Sequence, residues 1–182
     1  QINWESEYLP LVIFLILIFA STFFSSYKNI VIYGKSYRHE GLLAFVAYVS
    51  LFFLTISIVN TKEKIRKLLK YLFIVGVIIS IIGLVQYFGY DLIKLKAKQI
   101  RAESTLGNPD FAGSYVSMLF PLSFILFFYA QSKSELWYLG TITTIFYAFL
   151  IATGTRSAYV ALLVFIPLMI YFIYDKLLKH KR

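Results

Sequence analysis

Long apolar runs alternate with short polar connections along the whole of this chain. Six runs come near the roughly 20 residues that an α-helix needs to cross a bilayer. They cover about 8–26, 41–59, 71–89, 110–130, 136–152 and 158–174, the last two being the shortest. None carries Lys, Arg or an acidic residue well inside it, which argues against a voltage sensor or a proton relay through the helices. The pattern predicts an all-α fold: a polytopic transmembrane bundle of about six helices, forming a single transmembrane domain over 1–182. Gly76, Ser80 and Gly83 recur at helical spacing and form a small-residue face suited to close helix packing. Gln86, near the end of that run, should bond to a neighbour or to water. Gly113 and Ser117 form a second small pair, and Pro121 marks a place for a kink.

Composition sharpens this picture. The 182 residues are 59% hydrophobic with mean hydropathy +0.74, against about 45–50% apolar in soluble domains. The 18 Phe and 15 Tyr suit belts at the membrane interfaces. The net charge of +9 is gathered between the apolar runs, a pattern that fits anionic lipid headgroups as partners rather than nucleic acid. With no Cys, disulfides and thiolate metal sites are excluded. The first ten residues carry Glu5 and Glu7 with no basic start, so they do not read as a signal peptide. The chain is expected to be a fragment of a longer protein.

The connections hold the chemistry. The second, Asn60–Lys70, has five basic residues and reads as a positive-inside loop, with Thr61 able to cap a short interfacial helix. Lys94, Lys96 and Lys98 alternate in the third, and would share one side of an extended segment. That connection ends in Arg101-Ala-Glu-Ser-Thr-Leu-Gly-Asn-Pro-Asp-Phe-Ala112. Gly107 permits a tight turn, Asn108 is a good N-cap and Pro109 suits the first helical position, so a helix should start at Pro109 or Asp110. Its free N–H groups, with Arg101 nearby, suit an anion. The same residues also suit a plain capped loop with an interfacial Arg. In Thr153-Gly-Thr-Arg-Ser157, Gly154 can end one helix and Thr155 can cap the next.

Ten of the 18 Lys and Arg fall on the second and fourth connections and the tail, and eight on the first, third and fifth. This slight bias puts the odd-numbered connections on the extracytoplasmic face. Arg38, Arg101 and Arg156 then each stand at or before a helix start on that face. Together they could bind a diphosphate with no metal, or each could anchor its own helix.

Three sequence blocks carry a family resemblance. The first is Ser21-Thr-Phe-Phe-Ser25, then Gly34-Lys-Ser-Tyr-Arg-His-Glu-Gly41. The second is Gly83-Leu-Val-Gln-Tyr87, then Arg101 to Ala112. The third is Thr153-Gly-Thr-Arg-Ser-Ala158. In order and spacing they resemble the O-antigen ligase and polymerase family of bacterial membrane proteins, with Asp110 where that family usually has Asn and Thr155 where it has Ser. The resemblance implies a glycosyltransferase of the lipid-linked-sugar (GT-C-like) class in the bacterial inner membrane, with its active face extracytoplasmic. Its donor would be a glycan on undecaprenyl diphosphate, and its acceptor a glycan, a lipid such as the lipopolysaccharide core, or a protein. No cofactor or metal is implied.

The arginines expected to bind the donor diphosphate correspond to Arg101 and Arg156, with Arg38 and Asn108 as further binding candidates. The catalytic His of such proteins is expected beyond Arg182. His39 reads as a loop neighbour of Arg38, and His180 as a solvated tail residue. Glu40 can orient Arg38 or act as a base. Ligase and polymerase are not told apart. A transporter or flippase of lipid-linked glycans, or a non-catalytic binding remnant, are the rival readings.

Overall fold

The computed structural model describes residues 8–36, 39–90 and 101–179, with side chains up to Tyr171 in the last segment. Among these residues the fold is all-helical. The elements are α1 (Leu9–Phe24), α2 (Lys28–Tyr33), α3 (Leu42–Ile58), α4 (Lys62–Tyr87), α5 (Pro109–Phe128), α6 (Lys133–Thr153) and α7 (Arg156–Lys179), with a 3-10 turn at Ser104–Leu106. Three of them, α4, α5 and α6, are long and apolar enough to cross a membrane, which points to a membrane protein. The helices α1 and α3, of 16 and 17 residues, are apolar but shorter.

The basic connection does not form a separate interfacial helix. Lys62 begins a 26-residue helix that continues to Tyr87. Lys, Glu, Arg and Leu are strong helix formers, and no Gly or Pro separates Lys62 from Val75. Nothing in the sequence therefore stops the helix at Lys70.

Two compact units divide the chain, 1–68 and 69–182. In the first, α1 and α2 pack on α3. Ring contacts join Phe14 to Phe45 and Tyr8 to Phe53, both edge-on at 5.8 Å. Lys28 donates to the carbonyls of Thr22 and Phe23, so a cation closes the C-terminal end of α1. A Cβ at Gly41 would collide with the backbone of Ile32 and Gly34. That close approach is why the connection between α2 and α3 has glycine at its base.

In the second unit, α5 and α6 form an antiparallel hairpin, and α7 packs on α5. Fully enclosed Val116, Phe146, Phe149 and Leu150 lie at its centre, with Phe73 of α4 against Phe146. The small-residue face of α4 is where the helix meets this core. A methyl at Gly76 would strike Leu119 and Phe146, and one at Gly83 would strike Phe149. Without a Cβ at these two positions, the aromatic rings reach the α4 backbone. Pro121 lies inside α5, which continues through it.

The turn from α5 to α6 is fixed by a reciprocal cap. Ser132 Oγ accepts from Glu135 N at 3.1 Å, and Glu135 Oε2 accepts from Gln131 N at 2.8 Å. Of the two partners expected for Gln86, a neighbour or water, the described residues supply no neighbour. Its amide is enclosed and makes no hydrogen bond among the described residues, as is also true of the Thr143 hydroxyl.

Candidate functional site

The connection that enters α5 is buried at 102–104 and exposed at 105–107. Ala102, Glu103 and Ser104 are all buried. Ala102 N donates to Ala152 O at 2.9 Å, tying the loop to the last turn of α6. Ser104 Oγ donates to Ile79 O at 2.6 Å, tying it to the middle of α4. Past that contact α4 runs on for about two further turns to Tyr87. Ser104 has φ +54, a left-handed conformation that a non-glycine residue adopts only under constraint. Gly107 follows at φ +68. The chain then turns extended at Asn108, whose side chain accepts from Asp110 N at 2.8 Å, and Pro109 starts α5. The Gly-Asn-Pro spacing thus acts as the sequence predicts.

Arg101 sits where α5, α6 and α7 come together. Its Nε donates to Thr153 O at 2.7 Å, on the last residue of α6. Its Nη2 donates to Asp110 Oδ1 at 2.5 Å, in the first turn of α5, and to Thr155 Oγ1 at 3.3 Å. The pairing follows the helix dipoles: the cation sits at a helix C-terminus and the carboxylate at a helix N-terminus. Among the described residues, Arg101 Nη1 makes no hydrogen bond, and the side chain is 39% exposed.

Gly154 ends α6 in the left-handed conformation, as expected, with φ +60. Thr155 does not cap α7 with its side chain. Its hydroxyl donates instead to Pro109 O at 3.0 Å, which locks the start of α7 to the start of α5. Gly113 makes this possible, since a Cβ there would occupy the position of the Thr155 hydroxyl. Arg156, the next residue, is the first of α7 and is exposed. It makes no side-chain hydrogen bond or ion pair among the described residues.

The fold therefore gathers Arg101, Asn108, Asp110 and the Thr153–Arg156 segment at one end of the second unit. Asp110 and Thr155 are the members that sequence reasoning did not assign to the site. The signal for Asp110 was its place in the first helical turn; nothing in the sequence marked the hydroxyl of Thr155. Arg38 lies outside the described residues, as do Lys94, Lys96, Lys98 and His180. His39 is exposed. Glu40 is at the exposed rim of an open hollow of about 570 Å³ in the first unit, bordered also by Ser21, Thr22 and Gly41. Ser21 and Thr22 of one sequence block thus meet Glu40 and Gly41 of another around that hollow. Among the described residues no group of three or more His, Asp or Glu could hold a metal ion.

Chemically, the cluster offers an anion a forked cation with one free edge, a second exposed cation one residue beyond its Thr155 contact, and the N–H groups at the start of α7. No protein-family model, curated protein or solved structure matches the chain.

Proposed function

We propose that this chain carries the donor-binding part of a bacterial inner-membrane glycosyltransferase like the O-antigen ligases and polymerases. In this reading it holds the diphosphate of an undecaprenyl-linked glycan on the extracytoplasmic face while an acceptor hydroxyl displaces it. The observation that carries the reading is the placement of Arg101 between the ends of α5 and α6, one residue from Arg156 through its Thr155 contact. In such a reaction the leaving diphosphate gathers negative charge, and prepositioned cations and N–H dipoles lower the barrier. Arg101 is held in place before any ligand arrives, because its Nε is tied to a helix-end carbonyl. Its free edge at Nη1 and the exposed guanidinium of Arg156 are the groups that would meet the phosphates. Acceptor activation belongs to another part of the protein in this reading.

One observation favours a second reading. Every side-chain hydrogen bond that Arg101 makes among the described residues is internal, so the residue can serve as a clasp that ties three helices and binds nothing. Transfer from a lipid-linked glycan, measured with purified full-length Arg101→Ala and Arg156→Ala variants, separates the two. Loss of one charge-assisted contact is worth about 1.5–3 kcal/mol, so transfer should fall roughly ten- to hundredfold. Arg156→Ala decides the matter, because Arg156 has no side-chain partner to lose among the described residues. If that variant folds and transfers normally, and Arg101→Ala loses only stability, the clasp reading stands.

A further inference from the structure

We infer that Asp110 sets which anions the Arg101 site accepts, by occupying the guanidinium edge that a phosphate would use. This rests on the reading of Arg101 as a phosphate-binding residue. The Arg101–Asp110 pair is asymmetric in how its two members are held. Arg101 is anchored through Nε to Thr153 O at 2.7 Å and by Nη2 to Thr155 Oγ1. Asp110 grips Arg101 through one carboxylate oxygen and is 65% exposed, against 39% for Arg101. Its second oxygen makes no hydrogen bond among the described residues. The pair opens by rotation of the Asp110 side chain into water, while the arginine stays where Thr153 holds it.

An anion that grips Arg101 through both Nη1 and Nη2 thus exchanges with a carboxylate already in place on Nη2. That carboxylate is tethered nine residues away, so its effective concentration is high. A phosphodiester with a single charge, the group that bulk anionic phospholipids present at any membrane arginine, brings no more charge than Asp110 and has no tether. It fails to displace the carboxylate. A diphosphate carries more charge and more oxygens, and can take Nη1 together with the vacated Nη2 edge. Asp110 is a built-in competitor that raises the threshold for binding, so that ordinary headgroups stay out and a diphosphate enters.

The test is calorimetric titration of the purified chain in a phosphate-free maltoside detergent. The probes are inorganic pyrophosphate, farnesyl diphosphate as a short lipid-linked form, and glycerophosphoglycerol as a soluble phosphodiester. Asp110→Asn keeps the shape and removes the charge; Asp110→Ala serves as a second variant, with helicity checked for both. Both should bind pyrophosphate about tenfold more tightly than the native chain, the change expected when one competing charge contact is removed. Farnesyl diphosphate should show the same gain, and tighter binding than pyrophosphate if the lipid-linked form is the ligand. Glycerophosphoglycerol should compete with pyrophosphate in the variants at concentrations that leave the native chain unaffected. Unchanged or weaker binding in both variants overturns the inference and makes Asp110 a residue that merely positions Arg101. The site itself is judged by Arg101→Ala. If neither the native chain nor Asp110→Asn shows binding that Arg101→Ala abolishes, the donor-site reading falls, and this inference with it.

Discussion

Thr155→Val is the most direct probe of the junction between α5, α6 and α7. Valine has the shape of threonine, so a site that is 2% exposed keeps its packing and loses only the hydroxyl. Two bonds go with it: the one donated to Pro109 O at 3.0 Å and the one accepted from Arg101 at 3.3 Å. The second bond is long, and its donor is partly exposed, so water replaces it at little loss. The first is buried, but Pro109 opens α5, so helical periodicity gives its carbonyl the Gly113 N–H as well. The carbonyl loses one of two bonds rather than its only one. That places the cost at about 1 kcal/mol, between the roughly 0.6 kcal/mol average of hydrogen bonds within membrane bundles and the 1.5 kcal/mol upper range of neutral ones. The folded-to-unfolded ratio should fall about fivefold. Reversible unfolding in mixed micelles of rising dodecyl sulfate content measures this, with helicity as the signal. Thr155→Ser keeps the hydroxyl and is the control. If Thr155→Val unfolds like the native chain while Thr155→Ser is destabilised, the residue acts through its methyl group and the hydroxyl lock between α5 and α7 is wrong.

The same unfolding assay checks two further contacts. Ser104→Ala should be less stable than Ser104→Gly by about 1 kcal/mol, because both lose the bond to Ile79 O but only glycine relieves the left-handed backbone; equal stability would mean that the turn is not strained at Ser104. Gly83→Ala should cost about 1–3 kcal/mol, since its methyl enters the space of the enclosed Phe149 ring, and a neutral result would show that α4 does not depend on this close approach.

What was legible in the sequence is local. Asn108, Pro109 and Gly154 act through their own backbone and nearest neighbours, so their residue types announce a helix start and a helix end. The Gly76–Ser80–Gly83 face was legible because small residues at helical spacing have few other uses within an apolar run. The rest depends on residues brought together from far apart in the chain. The Thr155 hydroxyl meets a carbonyl 46 residues earlier, and Arg101 meets one 52 residues later. No periodicity encodes such pairings. For Thr155 the local rule misled, since a Thr before a helix is usually a cap and here its oxygen accepts from Arg101 while its proton goes to Pro109 O. The reading of Asn60–Lys70 as a separate element failed for a different reason. Charge sets where a segment sits relative to a membrane, whereas the helix ends only where capping or Gly and Pro end it.

The burial of the loop before α5 explains how a charged residue is tolerated there and why its charge matters. Irregular backbone within an apolar layer is stable only where protein satisfies its polar groups. Residues 102–106 supply part of that pairing through Ala102 N to Ala152 O and Leu106 N to Glu103 O, and the Ser104 hydroxyl ties them to Ile79 O. The loop therefore lies against the middle of α4, and it carries Arg101 with it. A guanidinium so placed is stabilised by a helix C-terminus and by a carboxylate at a helix N-terminus, both fixed by the fold. Its interaction with a further anion is less screened than that of an arginine standing free in water, since the effective dielectric falls near the protein. The contacts that let the charge exist at this position are thus the same contacts that hold it ready for a ligand. A substitution of Arg101 consequently changes stability along with recognition, so its effect on binding is read with folding measured beside it. Arg156, which has recognition chemistry without side-chain bonds among the described residues, is the residue at which the two can be told apart.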